Sequence, residues 1–151
     1  MSRNLKGKKP LLDTNVFIER QVADVTLQRM LLSSVVLYEL IAANIDDKKL
    51  RLYISWAKFH RTRGTLLTPN DLDWLEGSKL VRNLLRGTRS DTAGYVKKVT
   101  SAQQQQNDAL IARTAWIHDC FVVTSNERDF NKFKPYMKGL DIVPADYFFE
   151  D

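Results

Sequence analysis

The sequence predicts one α/β domain with a parallel sheet and helices on both of its faces. Two short apolar runs, Leu11–Leu12 and Phe121–Thr124, have the character of buried strands. A helical pattern over Asn107–His118 leads directly into the second run, which is typical of a βαβ unit. The chain has 151 residues, of which 44% are hydrophobic, enough for one buried core, and neither a repeat nor a linker divides residues 1–151.

The N-terminal part of the chain is predicted to alternate strand and helix twice. The first strand ends at Asp13, the first of the three polar residues Asp13–Asn15. A helix is predicted to begin just after it, with a polar residue as its N-cap. A second short strand is predicted over Met30–Ser34. The apolar segment Val35–Asn44 then predicts a helix, for which Ser33 or Ser34 is a suitable cap.

The middle of the chain is predicted to be largely helical. Apolar residues recur at i, i+3, i+4 and i+7 within Asp46–Arg61, which indicates an amphipathic helix. A second helix starts at Pro69–Asp71 and extends to Gly87, where glycine favours a stop. Thr88–Gly94 is a predicted loop, and the glutamine-rich segment Tyr95–Gln106 is compatible with either helix or linker.

The C-terminal part repeats the strand and helix alternation. Asn107–His118 is predicted to be a helix that Asp108 opens, and the strand Phe121–Thr124 follows it. Gly139–Val143, which precedes Pro144, predicts one more strand.

Composition favours a polyanionic partner. Lys and Arg number 23 against 18 Asp and Glu, giving a formal charge of +5 and an isoelectric point near 9.4, so we expect attraction to nucleic acid. The single cysteine, Cys120, excludes an internal disulfide and agrees with a reducing cytoplasm. Cys and His are too few for structural zinc. No apolar run has the length of a membrane helix, and the N-terminus lacks the apolar stretch of a secretion signal.

Four acids are candidate functional residues. In open parallel sheets, sites form beyond the carboxyl ends of the strands. Asp13 ends the first strand, Asp129 follows the Phe121 strand closely, and Asp108 lies at the start of the helix before that strand. Glu39 has apolar neighbours, so its carboxylate needs a cation or donors. Carboxylates that converge repel one another unless a hard cation such as Mg²⁺ lies between them, and such a site suits hydrolysis of a phosphate ester.

Each acid also has a purely structural interpretation. Asp13 and Asp108 are both suitable helix caps, and Asp129 is a suitable cap for a following turn. Glu39 is suited to an ion pair with a neighbouring helix. The acids therefore indicate a metal site jointly and not singly.

Four segments carry a resemblance to a known family. They are LLDTNVFIE at Leu11–Glu19, SSVVLYEL at Ser33–Leu40, NDALIARTA at Asn107–Ala115 and VVTSNERDF at Val122–Phe130. In this order and spacing they resemble the PIN-domain ribonucleases, and within these the VapC-type toxins of prokaryotic toxin–antitoxin pairs. The segment from Asp46 to Gln105 matches only as helix.

The resemblance implies an acidic metal site. Asp13 and Asp108 would be direct ligands of Mg²⁺ or Mn²⁺, and Glu39 would act partly through water. Many relatives carry Thr-x-Asp at the next strand end, whereas this chain has Asn126 there. The resemblance leaves two candidates for the fourth site residue: Asn126 itself, or Asp129 three residues on, which would replace the missing carboxylate.

Three further residues would support the site by the same resemblance. Thr124 and Asn126 would orient water or phosphate, and Asn15 would lie beside the acids. The implied fold is a three-layer α/β/α sandwich around a central parallel sheet.

The activity implied by the resemblance is metal-dependent endonucleolysis of structured RNA such as tRNA or rRNA. Expected partners are a cognate antitoxin, whose C-terminal segment lies over the active-site groove, and a second copy of the chain in a homodimer. Two alternatives stay open. Because Asn126 replaces an acid, the chain is also compatible with a PIN-like RNA- or protein-binding module without catalysis; a nuclease of RNA maturation or decay would share the chemistry without being a toxin.

Other polar and apolar segments carry weaker functional signals. His60 lies in a basic stretch that is suited either to RNA contact or to a solvated helix end, with the helix end preferred. Lys79–Arg89 is a second candidate phosphate-binding face, with a merely solvated face preferred. The apolar residues Leu50, Tyr53, Ile54 and Trp56 favour core packing over a partner groove. His118–Cys120 is rejected as a triad, because consecutive residues cannot point at one another.

Overall fold

The strands form a parallel arrangement at the centre of the molecule. The computed structural model describes residues 5–86 and 94–150. Strand β1 (Pro10–Leu12) pairs in parallel with β4 (Phe121–Thr124), which pairs in parallel with β5 (Asp141–Pro144). Strands β2 (Leu32–Ser33) and β3 (Leu66–Leu67) form a second parallel pair.

A backbone bridge joins the three-stranded and the two-stranded sheet into one layer. Leu31, just before β2, forms a parallel bridge with Leu11 of β1, and its amide donates to the carbonyl of Pro10 at 3.1 Å. The described strands therefore lie in the order β3, β2, β1, β4, β5, and their carboxyl ends point to the same edge.

Helices pack around this layer, and the predicted α/β/α arrangement with a central parallel sheet is confirmed. The helices of the described residues are α1 (Thr14–Glu19), α2 (Asp24–Arg29), α3 (Ser34–Ala42), α4 (Asp47–Arg63), α5 (Asp71–Leu85), α6 (Gly94–Ile117), α7 (Glu127–Asn131) and α8 (Ala145–Phe148), with a 3₁₀ helix at Lys134–Tyr136. No helix of the described residues combines the length and apolar character needed to span a membrane.

Several helix ends have recognisable capping signals, of which the sequence predicted the Ser33 cap of α3 and the start of α5. The Ser33 hydroxyl accepts from the amides of Val35 and Val36, which caps α3. Asn70 and Asp73 form a reciprocal capping box at the start of α5. Gly64 ends α4 with φ of 70°, a left-handed conformation that glycine adopts without a Cβ clash.

The last long helix, α6, corrects the predicted start at Asp108. The helix begins at Gly94, so Asp108 lies in its interior and does not cap it, and Tyr95–Gln106 is helical. Contacts with α5 support this extra length: the Gln106 amide donates to the Ser78 hydroxyl at 3.3 Å. The predicted stop at Gly87, most of the predicted loop Thr88–Gly94 and Arg89 lie outside the described residues.

His60 also departs from the preferred prediction of a solvated helix end. The ring is 1% exposed, its Nδ1 lies 2.7 Å from the Thr65 hydroxyl, and it hydrogen-bonds to the backbone of Leu27. Burial lowers the pKa of His60, because it penalises the charged ring. His60 is therefore a hydrogen-bonded core residue and not an RNA contact.

Core packing accounts for part of the apolar face of α4. Tyr53 is buried, and Trp56 packs against both Tyr53 and Phe17, with ring centroids 5.2 and 5.3 Å apart. Leu50 is half-buried, whereas Ile54 is exposed. The predicted preference for core packing therefore holds for the two aromatic residues and not for Ile54.

Candidate functional site

The acids proposed from sequence line one cleft at the carboxyl edge of the sheet. Its volume is about 480 Å³. Helices α1, α3 and α6 and the segment after β4 contribute its walls, and its acidic lining residues are Asp13, Glu39, Asp108 and Asp129. Acids that are far apart in the chain thus line one cleft. Asp13 and Asp129 come from the carboxyl ends of the adjacent strands β1 and β4, whereas Glu39 and Asp108 are brought to the cleft by α3 and α6.

Asp13 is the most firmly held of these acids. Its side chain is buried, Oδ1 accepts from the Thr14 amide at 2.8 Å, and Oδ2 accepts from the Thr124 hydroxyl at 3.0 Å. Its own amide donates to the carbonyl of Val123 at 2.9 Å, which continues the β1–β4 pairing by one residue. The cap interpretation of Asp13 is therefore correct, and the same carboxylate also faces the cleft.

Glu39 is connected to Asp13 through Thr14. The Thr14 hydroxyl donates to Glu39 Oε1 at 2.9 Å, while the Thr14 amide donates to Asp13. The Asn107 side chain also hydrogen-bonds to Glu39. Thr14 and Asn107 are site residues that the sequence interpretation missed; each directly follows or precedes a predicted acid, and this adjacency is the only signal that could have indicated them.

The segment after β4 connects a second acid to Asp13. The side-chain nitrogen of Asn126, Nδ2, donates to Asp129 Oδ2 at 2.7 Å. The backbone amide of Asn126 donates to the Thr124 hydroxyl at 3.0 Å, and that hydroxyl donates to Asp13. Asn126 therefore holds Asp129 beside the cleft, although Asn126 itself does not line it.

Asp108 and Asn15 complete the predicted set. Asp108 projects from the interior of α6 and is partly buried, while the exposed Asn15 lies on α1 directly after Thr14, and both line the cleft. Lys132, which ends α7, lies near enough to Asp108 to lower its pKa. It is a third functional candidate that the sequence interpretation missed.

The electrostatics of the cleft disfavour a full set of free carboxylates. The pKa of Asp13 is raised to about 6, chiefly by burial and also by the charges of Glu39 and Asp129, against the hydrogen bonds from Thr124 and Thr14. Burial raises the pKa of Asp108 to about 7, assisted by repulsion from Asp13, Asp129 and Glu39.

Burial also raises the pKa of Glu39, against the hydrogen bonds from Thr14 and Asn107. The cleft as a whole therefore favours a cation or protons over additional negative charge.

The donor set fits a hard divalent cation by its chemistry. All four acids present oxygen, the ligand atom that Mg²⁺ and Mn²⁺ prefer. Within residues 5–86 and 94–150, no three acidic, His or Cys side chains are grouped as a ready-made metal site. Mg²⁺ keeps several waters and commonly takes only one or two protein carboxylates, so two direct ligands such as Asp13 and Asp108 meet its requirement.

The fold is shared with solved proteins at low sequence identity. The chain superposes on a chain of VapBC from Salmonella typhimurium, solved bound to DNA, with a TM-score of 0.53 and 22% identity, covering 91% of this chain and 98% of that one. A chain of FitAB bound to an IR36 DNA fragment superposes with a TM-score of 0.52 and 17% sequence identity, covering 90% of this chain and 94% of that one. A chain of VapBC2 from Rickettsia felis, bound to a promoter DNA fragment, superposes with a TM-score of 0.51 and 18% sequence identity, covering 90% of this chain and 98% of that one.

These similarities show the fold. No family model matches the sequence, and no curated protein does. The chain therefore shares the α/β/α fold of these solved chains, and its acidic cleft lies at the carboxyl edge of the parallel sheet, where open α/β sheets bind ligands.

Proposed function

We propose that this protein is a Mg²⁺- or Mn²⁺-dependent endoribonuclease and the toxin of a toxin–antitoxin pair. The observation that carries the proposal is the convergence of Asp13, Glu39, Asp108 and Asp129 on one cleft. A basic protein with an acidic pocket suits phosphodiester hydrolysis, because surface cations attract the polyanion while the pocket recruits the metal.

Asp13 and Asp108 would hold the cation, which when bound supplies Lewis-acid chemistry at the scissile phosphate. The hydrogen bonds from Thr14 and Thr124 fix the direction of the Asp13 carboxylate and favour its charged form. Glu39, held by Thr14, would accept hydrogen bonds from a water and orient it. Lys132 would reduce the negative potential that an approaching phosphate meets.

A cleavage assay tests the nuclease. Wild-type protein and the variants Asp13→Asn and Asp108→Asn are incubated with total RNA in Mg²⁺, in Mn²⁺ and in EDTA. We expect the wild type to cleave only with metal and both variants to lose at least about a hundredfold in rate, on the order of the loss of one essential electrostatic group. Asp24→Asn, an exposed acid on α2, is the matched control. Equal cleavage by all four proteins would contradict the assignment.

The antitoxin and homodimer are part of the same proposal. The structures that share the fold were solved as VapBC and FitAB assemblies, which supports a protein partner. Expression of the chain alone should arrest growth, and co-expression of a small neighbouring gene should relieve the arrest. Harmless expression of an active nuclease would instead favour an enzyme of RNA maturation or decay. Light scattering tests the homodimer.

A binding module without catalysis is the second candidate. It is favoured by Asn126 in place of a carboxylate and by the lack of a preformed three-residue metal cluster in the described residues. A binding module should bind RNA with the same affinity in EDTA as in Mg²⁺, and should show no cleavage in either.

A further inference from the structure

The acidic cleft has an apolar wall that metal binding does not explain. Ile18 of α1 and Tyr38 of α3 line the same cleft as the carboxylates, and their exposed fractions are 64% and 66%. Exposure of this size leaves most of each apolar surface in water, so packing of the fold does not account for either side chain. The wall therefore needs an explanation in terms of what enters the cleft.

Helix geometry groups the cleft residues of α1 and of α3 on one face of each helix. Residues four apart lie on one helix face, so α1 presents Thr14 and Ile18 together, and α3 presents Tyr38 together with Ala42. Ala42 also lines the cleft. Glu39, the next residue of α3, lines the same cleft, so Tyr38 and this carboxylate face one space.

The Tyr38 ring is available for stacking. No other ring of the described residues contacts it. Proteins bind unpaired bases by stacking them on an exposed aromatic ring beside a groove whose cations meet the phosphate. Here those cations would be the metal of the proposed function and Lys132, whose charge acts on Asp108. A base within a duplex cannot offer its face in this way, because its neighbours already cover it.

We propose that Tyr38 is a stacking platform for an unpaired base next to the scissile phosphate, with Ile18 as the other apolar side of the base pocket. The inference rests on the proposed nuclease function and refines it: it assigns recognition of one base beside the cut to this ring. Tyr38 then determines which RNA segments are cut, and the carboxylates do not contact the base. The Tyr38 hydroxyl has no part in the proposal.

The test compares three variants at Tyr38 with a control at another exposed tyrosine. Tyr38→Phe keeps the ring, Tyr38→Leu keeps only apolar bulk, and Tyr38→Ala removes both. Tyr136→Ala is the control, because Tyr136 is 50% exposed and lies in a different depression, beside Gly77 and Trp116. Thermal unfolding confirms that each variant folds, as expected for substitutions at exposed side chains.

The first readout is binding of a short unpaired oligoribonucleotide that carries 2-aminopurine, measured by fluorescence in Ca²⁺. We expect quenching by the wild type, Tyr38→Phe and Tyr136→Ala. Quenching should be lost in Tyr38→Leu and Tyr38→Ala, with affinity weaker by about 5- to 100-fold, the range of one base–aromatic stack. Wild-type affinity and quenching in Tyr38→Ala would overturn the proposal, and so would an equal loss in Tyr38→Phe.

The second readout changes the RNA and leaves the protein intact. An abasic nucleotide is moved in turn through each position around the mapped cleavage site. At one position the abasic RNA should bind wild-type protein and Tyr38→Ala equally, because the stacking partner is already absent. If Tyr38→Ala weakens binding of every abasic RNA as much as of the intact RNA, no base stacks on Tyr38.

These outcomes are separable from failure of the proposed function. Loss of cleavage in Asp13→Asn with unchanged binding and cleavage in Tyr38→Ala would overturn only the stacking proposal. Absence of cleavage by the wild type under all metal conditions would overturn the nuclease, whereas Tyr38-dependent quenching would still support a base-binding cleft.

Discussion

The hydroxyl of Thr124 donates a hydrogen bond to Oδ2 of Asp13 over 3.0 Å, although 111 residues separate the two in the chain. The contact joins the carboxyl ends of β4 and β1, which are neighbours in the sheet. Because the same hydroxyl accepts from the Asn126 amide, one side chain sets both the Asp13 carboxylate and the segment that carries Asp129.

Replacement of Thr124 by Val should weaken the response to metal while leaving the shape of the strand end intact. The substitution removes a donor to a buried carboxylate, so the pKa of Asp13 rises further and less of its charged form is present. A hydrogen bond to a charged group is worth about 1.5–3 kcal/mol, so the Mg²⁺ concentration for half-maximal RNA cleavage should rise about tenfold or more. Thr124→Ser, which keeps the hydroxyl, should behave like the wild type. An unchanged Mg²⁺ requirement in Thr124→Val would show that this bond does not tune the site.

Replacement of Asp108 by Asn should stabilise the metal-free protein at neutral and higher pH. The folded-state pKa of Asp108 is raised to about 7 from the ordinary value of 3.8, so the folded state binds the proton more tightly than the unfolded state does. Its contribution to stability is complete below pH 4 and is lost as pH rises through 7. Asn cannot ionise and avoids this loss, which we expect to be about 2 kcal/mol at pH 8 for a partly buried group.

Urea unfolding in EDTA at pH 4 and at pH 8 measures this difference. The gain of Asp108→Asn over the wild type should be present at pH 8 and absent at pH 4. Asp24→Asn, an exposed acid, should gain nothing at either pH. A gain of the same size at both values would show that the effect does not arise from ionisation of Asp108.

Replacement of Arg113 by Met should strongly destabilise the contact between α5 and α6. Arg113 Nε lies 2.8 Å from Asp73 Oδ1, and both side chains are largely buried. Removing one partner of a buried pair leaves an uncompensated charge and costs about 3 kcal/mol. Lys79→Met breaks the exposed pair with Glu76 and should cost less than about 1 kcal/mol. Similar urea midpoints for the two variants would contradict this account of the helix contact.

Local patterns predicted the elements that present Asp13 and Glu39. A buried apolar run followed by a polar cap is sufficient to place Asp13 at the end of β1, and the Ser33 cap with an apolar helix is sufficient to place Glu39 on α3. Their convergence depended on the parallel arrangement, which the helix leading into β4 indicated. Thr14, which links the two acids, gave no signal of its own beyond its position.

The start of α6, strand β3 and the burial of His60 could not be predicted from local sequence patterns. A polar pair such as Asn107–Asp108 resembles a helix cap whether it starts a helix or lies within one, and the Gln-rich segment before it has no apolar stripe to indicate helix. Strand β3 has only two residues, and its pairing with β2 is non-local. The basic residues around His60 suggested solvent, whereas the enclosing contacts come from Thr65 and from the backbone of Leu27.

Uptake of Mn²⁺ followed by calorimetry tests most directly whether Asp13 and Asp108 hold a cation together. The account predicts saturable binding at pH 7.5 by the wild type and by Asp24→Asn, and its loss in both Asp13→Asn and Asp108→Asn, with all four proteins folded by circular dichroism. Binding of Mn²⁺ to the two cleft variants with wild-type affinity would contradict it.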